Sequence, residues 1–181
     1  MMSREVAKRM FAYEIIRSVV SFKSDEKDQY SPVYILTPTG EKCSRIFMIA
    51  RVVSKESVGN NDIRMKVEDS TTSIYVYVSG YSPSAITAVA DINAGDYIAI
   101  VGKPVIYRLS NGDQFVYIRA TDVNKSNEND YKYWKAETAL QTYNRLACID
   151  NDEDRWHIAC GLYSINKEDY FAVCRNAVGG V

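Results

Sequence analysis

Two short runs of alternating apolar and polar residues flank a polar turn near the middle of the chain, in the stretch IRMKVEDSTTSIYVYV (63–78). Alternation with a period of two is typical of β-strands with one buried surface, so this stretch predicts two neighbouring strands. The polar side carries Arg64 and Lys66 on the first strand and Tyr75 and Tyr77 on the second. The pattern therefore predicts a solvent-facing surface on which cations and tyrosines lie together.

Similar alternation predicts five strands in the central part of the chain, with a helix between the third and the fourth. The predicted strands are residues 45–53, 64–69, 73–78, 94–107 and 115–123, and the predicted helix is residues 83–92. Pro83 suits the first turn of that helix, and Asn111-Gly112 is a typical hairpin turn. This order predicts an OB-fold, a five-stranded Greek-key barrel, because a generic barrel or sandwich would have no helix at this point.

The chain divides on this prediction into three parts: an N-terminal extension (1–44), the OB-fold domain (45–123), and a linker with a C-terminal helical appendage (124–181). The fold class is thus mainly β with an α appendage. In the extension, Ser3–Tyr13 suits a short helix with Ser3 as its N-cap, and Glu14–Phe22 is rich in the β-branched residues that favour a strand.

The C-terminal part begins with a polar stretch, residues 125–132, that suits a linker. An amphipathic helix is predicted over residues 133–149, followed by helices in RWHIACGLY and KEDYFAVCRNAV, with Asn166 as the N-cap of the last one. Pro38-Thr39-Gly40 is predicted to be a turn rather than a phosphate-binding loop, since no helix start follows it.

The outward sets of the predicted strands mix aromatic rings with cations, as in Phe115, Tyr117 and Arg119 of the fifth strand. A protein that binds single-stranded nucleic acid uses this mixture, because bases stack on rings at about 1–3 kcal/mol each and cations contact phosphates. Tyrosine is also a common half-exposed strand residue without any ligand. Coverage of this surface by protein is therefore an alternative interpretation.

Charge restricts where a nucleic acid could bind. The 181 residues carry a formal net charge of −1, so the molecule as a whole attracts neither nucleic acid nor membrane strongly, and binding requires a local patch. The sequence shows no signal peptide and no apolar run of membrane-spanning length. A cytoplasmic protein with reduced cysteines is the expectation.

Metal binding and catalysis are not favoured by the remaining motifs. Cys148, His157, Cys160 and Cys174 lack the paired knuckle spacing of structural zinc sites. The single histidine has no nucleophile elbow near it, and neither a P-loop nor a GxGxxG motif occurs. We therefore expect no enzyme activity, no cofactor and no metal.

Several stretches in combination resemble the archaeal replication protein A-associated proteins, which are OB-fold accessory subunits of single-stranded DNA-binding complexes. The stretches are REVAKRMFAYE (4–14), YILTPTGEKCSRIFMIARV (34–52), KVEDSTTSIYVYVSGYSPSA (66–85), YIAIVGKPVIYRLSNGD (97–113), and the C-terminal YWKAETALQTYNRL and YSINKEDYFAVCRNAV. The resemblance covers nearly the whole chain. It implies a non-enzymatic accessory subunit that acts with replication protein A in DNA replication, repair and recombination. A protein-interaction OB module of the same complex, without direct DNA contact, is the alternative.

The resemblance also implies roles for individual residues. The implied stacking residues are Tyr75, Tyr77 and Tyr81, and the implied phosphate contacts are Arg45, Arg51, Arg64, Lys66, Lys103 and Arg119. Gly102 and Pro104 allow a second interpretation, in which Gly102 permits a β-bulge and Pro104 ends the strand pairing.

Two departures from the family pattern concern the loops beside these residues. The turn before the third strand reads Asp-Ser-Thr-Thr (69–72) instead of Asp-Pro-Thr-Gly, so it lacks both the rigid and the left-handed-tolerant residue. The connection from Gly80 to Pro83 is also a residue short. Both changes concern the shape of loops along which a DNA strand would run.

The amphipathic C-terminal helix is placed like the helices through which replication protein A subunits assemble. Its apolar stripe, with Trp134 beside it, is the implied partner-binding surface, with a replication protein A subunit as partner. The residues are Tyr133, Trp134, Leu140 and Tyr143. Packing of this stripe on the barrel is the alternative.

Overall fold

The computed structural model describes residues 5–59, 61–81, 83–149, 158–159, 161–163 and 165–179. The N-terminal elements are β1 (Lys8–Arg9), α1 (Ala12–Ile15), β2 (Val20–Lys23), β3 (Val33–Leu36) and β4 (Lys42–Cys43). The central elements are β5 (Ile46–Ser57), β6 (Ile63–Glu68), β7 (Ser73–Val78), α2 (Pro83–Ala90), β8 (Tyr97–Arg108) and β9 (Gln114–Lys125). Within the described ranges, helices α3 (Glu128–Cys148) and α4 (Lys167–Val178) follow.

The central strands close into a barrel. The sheet order is β1-β5-β6-β7-β9-β8, and an additional pairing of β5 with β8 completes the ring. Strands β7 and β9 run parallel, whereas the other pairs of the ring are antiparallel. With α2 between β7 and β8, this is the predicted OB-fold connectivity. A separate small sheet, β2-β3-β4, is formed by the N-terminal extension.

The long strand β5 serves both sides of the closure. Residues 46–51 pair with β8, and residues 51–57 pair with β6. The register shifts between Val52 and Ser54, and such a bulge bends a strand and increases its twist. One strand can therefore change partners and close the ring.

The barrel interior follows the predicted alternation. Ile46, Met48, Ala50 and Val52 of β5 are all buried, together with the inward residues of the other strands. The opposite side of β5 is not the open surface that alternation alone suggests, because α3 packs over it. Trp134 of this helix donates its indole N–H to the carbonyl oxygen of Phe47 at 3.3 Å.

The Gly102–Pro104 segment has a structural role. The register of β8 against β9 shifts between Val101 and Gly102, as the bulge interpretation predicts. The prediction that Pro104 ends the pairing is wrong, since β8 continues to pair with β9 as far as Arg108. Strand β5 pairs with β8 only as far as Gly102, so Pro104 lies where β8 has lost that neighbour, and a proline is tolerated there.

The predicted helix Ser3–Tyr13 is wrong over residues 5–11, and only its last two residues are helical. Lys8 and Arg9 form a strand parallel to β5, with the Lys8 amide donating to the Arg45 carbonyl oxygen at 2.9 Å. The helix begins only at Ala12, whose amide donates to the carboxylate of Asp69 at 2.6 Å; Ser3 lies outside the described residues. The strand predicted over residues 14–22 begins at Val20 instead.

The C-terminal linker prediction is also wrong in part. Strand β9 extends to Lys125, and α3 starts at Glu128, five residues before the predicted start at residue 133. The cause is a local cap, because the Asn127 side chain accepts a hydrogen bond from the Asp130 amide. The predicted cap at Asn166 is confirmed, since its side chain accepts from the Glu168 amide at 3.1 Å.

A buried ion pair joins the N-terminal extension to α3. Arg145 of α3 donates to the carboxylate of Glu14 of α1 at 2.7 Å, with side-chain exposures of 12% and 2%. The other carboxylate oxygen of Glu14 accepts from the Thr39 hydroxyl at 2.5 Å. Thr39 lies in a turn closed by Gly40, which has a φ of 77° and donates to the Thr37 carbonyl at 2.9 Å, so the predicted turn is confirmed.

We predict that Arg145→Met lowers the free energy of unfolding by about 3–5 kcal/mol, because it leaves the Glu14 carboxylate buried without a counter-charge. Urea unfolding followed by circular dichroism measures this change. The double variant Arg145→Met/Glu14→Gln removes the unpaired charge and should recover part of the loss.

The matched control for this prediction is Arg175→Met, which removes an exposed arginine of α4 and should change stability by less than about 0.5 kcal/mol. Equal effects of the two arginine substitutions would contradict the assigned role of the ion pair.

We further predict that Gly102→Ala destabilises the barrel by about 1–3 kcal/mol through overpacking. A Cβ at Gly102 would lie 2.6 Å from Cγ2 of Ile118 and 2.7 Å from the Arg119 carbonyl oxygen. Gly161→Ala is the control, since a Cβ there meets no atom within 4 Å. A denaturation midpoint for Gly102→Ala equal to that of the unsubstituted chain would refute this close approach.

Candidate nucleic-acid interface

Sheet register brings the predicted cations and rings into two adjacent rows across four strands. In the first row, Arg64 pairs with Tyr77, Tyr77 with Arg119, and Arg119 with Lys103. Cross-strand partners lie on the same side of a sheet, about 5 Å apart. The register thus joins residues from four strands into one continuous band.

The second row is displaced from the first by two residues on each of the four strands. Lys66 pairs with Tyr75, Tyr75 with Tyr117, and Tyr117 with Val105. We call the surface of both rows the tyrosine face, defined by Arg64, Lys66, Tyr75, Tyr77, Lys103, Tyr117 and Arg119. Tyr75 has 39% of its surface exposed, so a planar ligand has access to its ring.

The rings of the tyrosine face support one another. Tyr77 and Tyr117 meet edge to face, with 4.9 Å between ring centroids and an interplanar angle of 65°. Contacts of this geometry are favourable for aromatic pairs. Both side chains are half-buried as a result, and mutual packing restricts their rotamers.

Arg64 of the tyrosine face is held by a carboxylate of β5 and by a neighbouring ring. The Arg64 Nε donates to Glu56 at 2.8 Å, and its guanidinium carbon lies 5.3 Å from the Tyr75 ring centroid. The hydrogen bond with Glu56, and to a lesser extent the one with Tyr77, raises the pKa of Arg64. The same hydrogen bond from Arg64 lowers the pKa of the Glu56 carboxyl. Arg64 is therefore permanently charged, but Glu56 offsets much of its charge.

Sequence reasoning did not include three further aromatic residues among the candidate site residues. The ring of Phe115 lies 5.8 Å from Tyr117 and 5.3 Å from Tyr107, so the rings continue along the β8–β9 hairpin. Alternation already placed Phe115 and Tyr117 outward. The same count from Lys103 through Val105 would have found Tyr107, at the hairpin end of β8.

Three predicted contacts lie outside the tyrosine face. Arg51 pairs with Glu68 at 3.7 Å and lines a separate pocket of 510 Å³ with Tyr97 and Tyr131. Arg45 precedes β5 and lies in a groove beyond Lys103. Tyr81 lies in the connection after β7 and is largely exposed. The structure thus brings together Tyr75, Tyr77, Arg64, Lys66, Lys103 and Arg119, but not these three.

The turn before β7 is closed without proline or glycine. Asp69 accepts hydrogen bonds from the Thr71 amide at 3.0 Å and the Thr71 hydroxyl at 2.6 Å. Ser70 takes the left-handed conformation, with a φ of 72°. Burial raises the pKa of the Asp69 carboxyl, and the hydrogen bonds from Thr71, Ala12 and Thr72 oppose that rise. Side-chain bonding by Asp69 thus replaces the missing turn residues.

The α3 residues predicted to bind a partner separate into two groups. Tyr133, Leu140 and Tyr143 are 67%, 56% and 54% exposed, whereas Trp134 is 1% exposed. The prediction for Trp134 is wrong, because its ring packs edge-on against Phe11 at 5.6 Å and covers β5. We call the other three residues the α3 stripe; packing of this stripe on the barrel is excluded by its exposure.

Neither a metal-binding cluster nor a membrane-spanning helix is present among the described residues. Within them no cluster of three or more potential metal ligands occurs; His157 and Cys160 lie outside this part of the chain. Burial raises the pKa of the Cys174 thiol to about 11. No helix in the described ranges is long and apolar enough to cross a bilayer.

Comparison with known proteins identifies the class to which this fold belongs. No protein-family model matches the chain, and no curated protein matches it either. The S. pombe Stn1–Ten1 complex contains a similar chain, with a TM-score of 0.65 and 13% identity over 82% of this chain and 99% of that one. The protein is therefore an OB-fold protein with C-terminal helices.

A second similar structure is that of a replication protein A heterotrimer bound to single-stranded DNA. It gives a TM-score of 0.55 and 12% identity, and covers 78% of this chain and 98% of that chain. Both alignments extend over nearly the full length of the other chain. At these identities, the likeness establishes the shared fold.

Proposed function

We propose that this chain is a single-stranded DNA-binding accessory subunit that acts with replication protein A. The observation that carries the proposal is the tyrosine face, on which cross-strand register interleaves rings and cations in two continuous rows. Bases stack on rings whatever their sequence, and neighbouring cations contact the phosphates. The face is on the β6–β7 side of the barrel, where OB-folds commonly bind oligonucleotides.

The resemblance and the structural neighbours support the finer parts of this proposal. The archaeal replication protein A-associated family implies a non-enzymatic role in replication, repair and recombination, and we further propose a cytoplasmic location. The neighbours described above belong to a two-protein complex and to a heterotrimer bound to DNA. We further propose the division into an N-terminal extension, an OB-fold domain and a helical appendage, with one boundary at 44/45 and the other at 125/126 instead of the expected 123/124, because β9 extends to Lys125.

A partner explains how a nearly neutral chain functions in such a complex. Counterion release from phosphate contacts supplies much of the affinity for nucleic acids, and this chain has a net charge of −1. A more basic partner would supply the remaining phosphate contacts. The exposed α3 stripe is the proposed docking surface, since interface cores are enriched in tyrosine and other large apolar residues.

One observation favours the alternative of a protein-interaction OB module. Glu56 pairs with Arg64 and offsets its charge beside the tyrosine face, and a surface that combines tyrosines with arginines also suits a protein ligand. The experiment below separates the two functions.

We predict that Tyr75→Ala/Tyr77→Ala weakens binding of the isolated chain to fluorescein-labelled oligo-dT about 30-fold or more, since two stacking contacts of about 1–3 kcal/mol each are removed. Fluorescence anisotropy at fixed ionic strength measures the affinity. Affinity should also fall with rising salt, with a shallow slope because few cations are involved.

Tyr133→Ala/Tyr143→Ala is the matched control, since it removes two exposed tyrosines of α3 rather than of the barrel. This variant should bind oligo-dT like the unsubstituted chain. Unchanged DNA affinity in a folded Tyr75→Ala/Tyr77→Ala variant would favour the protein-interaction module instead.

We also predict that Leu140→Glu/Tyr143→Glu abolishes co-elution with the replication protein A subunit of the same organism in size-exclusion chromatography. Two charges would be buried without partners in the interface. The isolated variant should remain folded but lose some stability, because the Tyr143 ring packs against Phe171 of α4 at 5.0 Å, and circular dichroism checks that the fold is kept.

Tyr30→Glu/Leu109→Glu is the control for this docking test, since it changes an exposed tyrosine and an exposed leucine elsewhere. It should leave co-elution intact. Co-elution of Leu140→Glu/Tyr143→Glu at the level of the unsubstituted chain would show that the α3 stripe is not the docking surface.

A further inference from the structure

A groove separates the small sheet of the N-terminal extension from the barrel. Its volume is 930 Å³, and it receives residues from both sheets and from the start of α2. The lining residues are Glu5, Ser24, Pro32, Tyr34, Ser44, Arg45, Ser84, Lys103, Thr121 and Asp122. Of these, Arg45 and Lys103 were expected to contact phosphates, whereas Tyr34 had no assigned role.

The groove is continuous with the tyrosine face. Along the first row, Tyr77 pairs with Arg119 and Arg119 with Lys103, so two strand spacings of about 4.8 Å each lead from Tyr77 to Lys103. Lys103 also lines the groove. A strand that crosses the tyrosine face along this row therefore arrives at the groove entrance.

Arg45 lies inside the groove with unused hydrogen-bonding capacity. Its Nε is buried and, within the described part of the chain, has no hydrogen-bond partner. A buried donor without a partner costs free energy. The enclosed Nε is out of reach of a ligand, so a phosphate in the groove would be contacted by the part of the Arg45 side chain that lines it.

The small sheet adds rings and a cation beyond Arg45. Phe22 and Tyr34 are cross-strand partners whose rings stack at 5.9 Å with an interplanar angle of 22°. The Nζ of Lys42 lies 4.2 Å from the Tyr34 centroid and 5.3 Å from that of Phe22. This small-sheet cluster, defined by Phe22, Tyr34 and Lys42, repeats the chemistry of the tyrosine face, and Phe22 is exposed.

Two carboxylates limit the kind of ligand that the groove accepts. Glu5 accepts a hydrogen bond from the Ser44 hydroxyl, and Asp122 accepts one from the Asn124 side chain at 3.3 Å. Because these two acids line the same groove as Arg45 and Lys103, the lining attracts free anions only weakly. A ligand that combines a phosphate with a stacking base gains from both the cations and Tyr34.

We propose that a single DNA strand crossing the tyrosine face continues past Lys103 into this groove, where Arg45 contacts a phosphate and Tyr34 stacks a base. This inference rests on the proposed function, and it extends the site from the barrel to the N-terminal extension. Binding therefore depends on oligonucleotide length, because only a longer strand reaches both surfaces.

The test compares oligo-dT of about 5 and about 15 nucleotides, which lie within the range of OB-fold site sizes. Tyr34→Leu should weaken binding of the longer oligonucleotide about 5-fold or more and leave the shorter one unchanged, because one stacking contact is lost. Tyr34→Phe keeps the ring and should bind both like the unsubstituted chain. Tyr133→Leu, on α3, is the matched control.

A second measurement needs no substitution in the groove. The longer oligonucleotide carries a single 5-iodo-deoxyuridine at successive positions, and photo-cross-linked residues are mapped by mass spectrometry. Cross-links to Tyr34 or Phe22 from one end, and to Tyr75 or Tyr77 from other positions, are the expected result. This readout also decides the matter if Tyr34→Leu lowers the melting temperature.

The groove proposal and the proposed function are refuted by different results. Cross-links to Tyr75 or Tyr77 alone, with Tyr34→Leu binding both lengths normally, would overturn the groove and leave the proposed function intact. Absence of cross-links to both surfaces, with no effect of Tyr75→Ala/Tyr77→Ala, would overturn both. Protection of Tyr34 by a partner protein instead of DNA would assign the groove to a protein segment.

Discussion

The pairing of β5 with two strands is the constraint on which the rest of the structure depends. Its first half pairs with β8 and its second half with β6, and the bulge after Val52 allows the change of partner. Once the ring is closed, the alternation of side chains determines which residues face outward on each of the remaining strands. Because α3 covers the outward side of the first half of β5, the open part of the barrel is the surface of β6, β7, β9 and β8.

A second constraint is the set of contacts that α1 makes with α3 and with the β6–β7 turn beside the tyrosine face. Glu14 binds Arg145 of α3 and the hydroxyl of Thr39, while two residues earlier the amide of Ala12 binds Asp69 of the β6–β7 turn. Hydrogen bonds at Glu14 and Ala12, two residues of the same short helix α1, therefore fix α3 and the β6–β7 turn to one element of the N-terminal extension.

Local patterns predicted the barrel well and the appendages poorly. Tyr75 and Tyr77 were placed correctly on an outward row because strand alternation is a property of adjacent residues. The start of α1 could not be predicted, since its amide partner, Asp69, is 57 residues away in sequence. In α3 the helical period identified the exposed stripe. The side of the helix that packs on the protein carries two threonines, Thr138 and Thr142, as well as Trp134. Hydrophobicity alone therefore assigned Trp134 to the wrong side.

The charges on the tyrosine face determine what kind of binding it supports under the proposed function. Arg64 is bound to Glu56, and Arg119 lies 3.5 Å from the Tyr117 hydroxyl, so these cations hold the rings in position as well as carry charge. Phosphate contacts with Arg64 release few counterions unless its bond to Glu56 is broken. The pairing of Arg64 with Glu56 thus increases the share of the free energy that stacking supplies, and stacking requires unpaired bases. A face of this composition therefore discriminates against duplex DNA, whose bases are already stacked, more strongly than a basic groove of the same size.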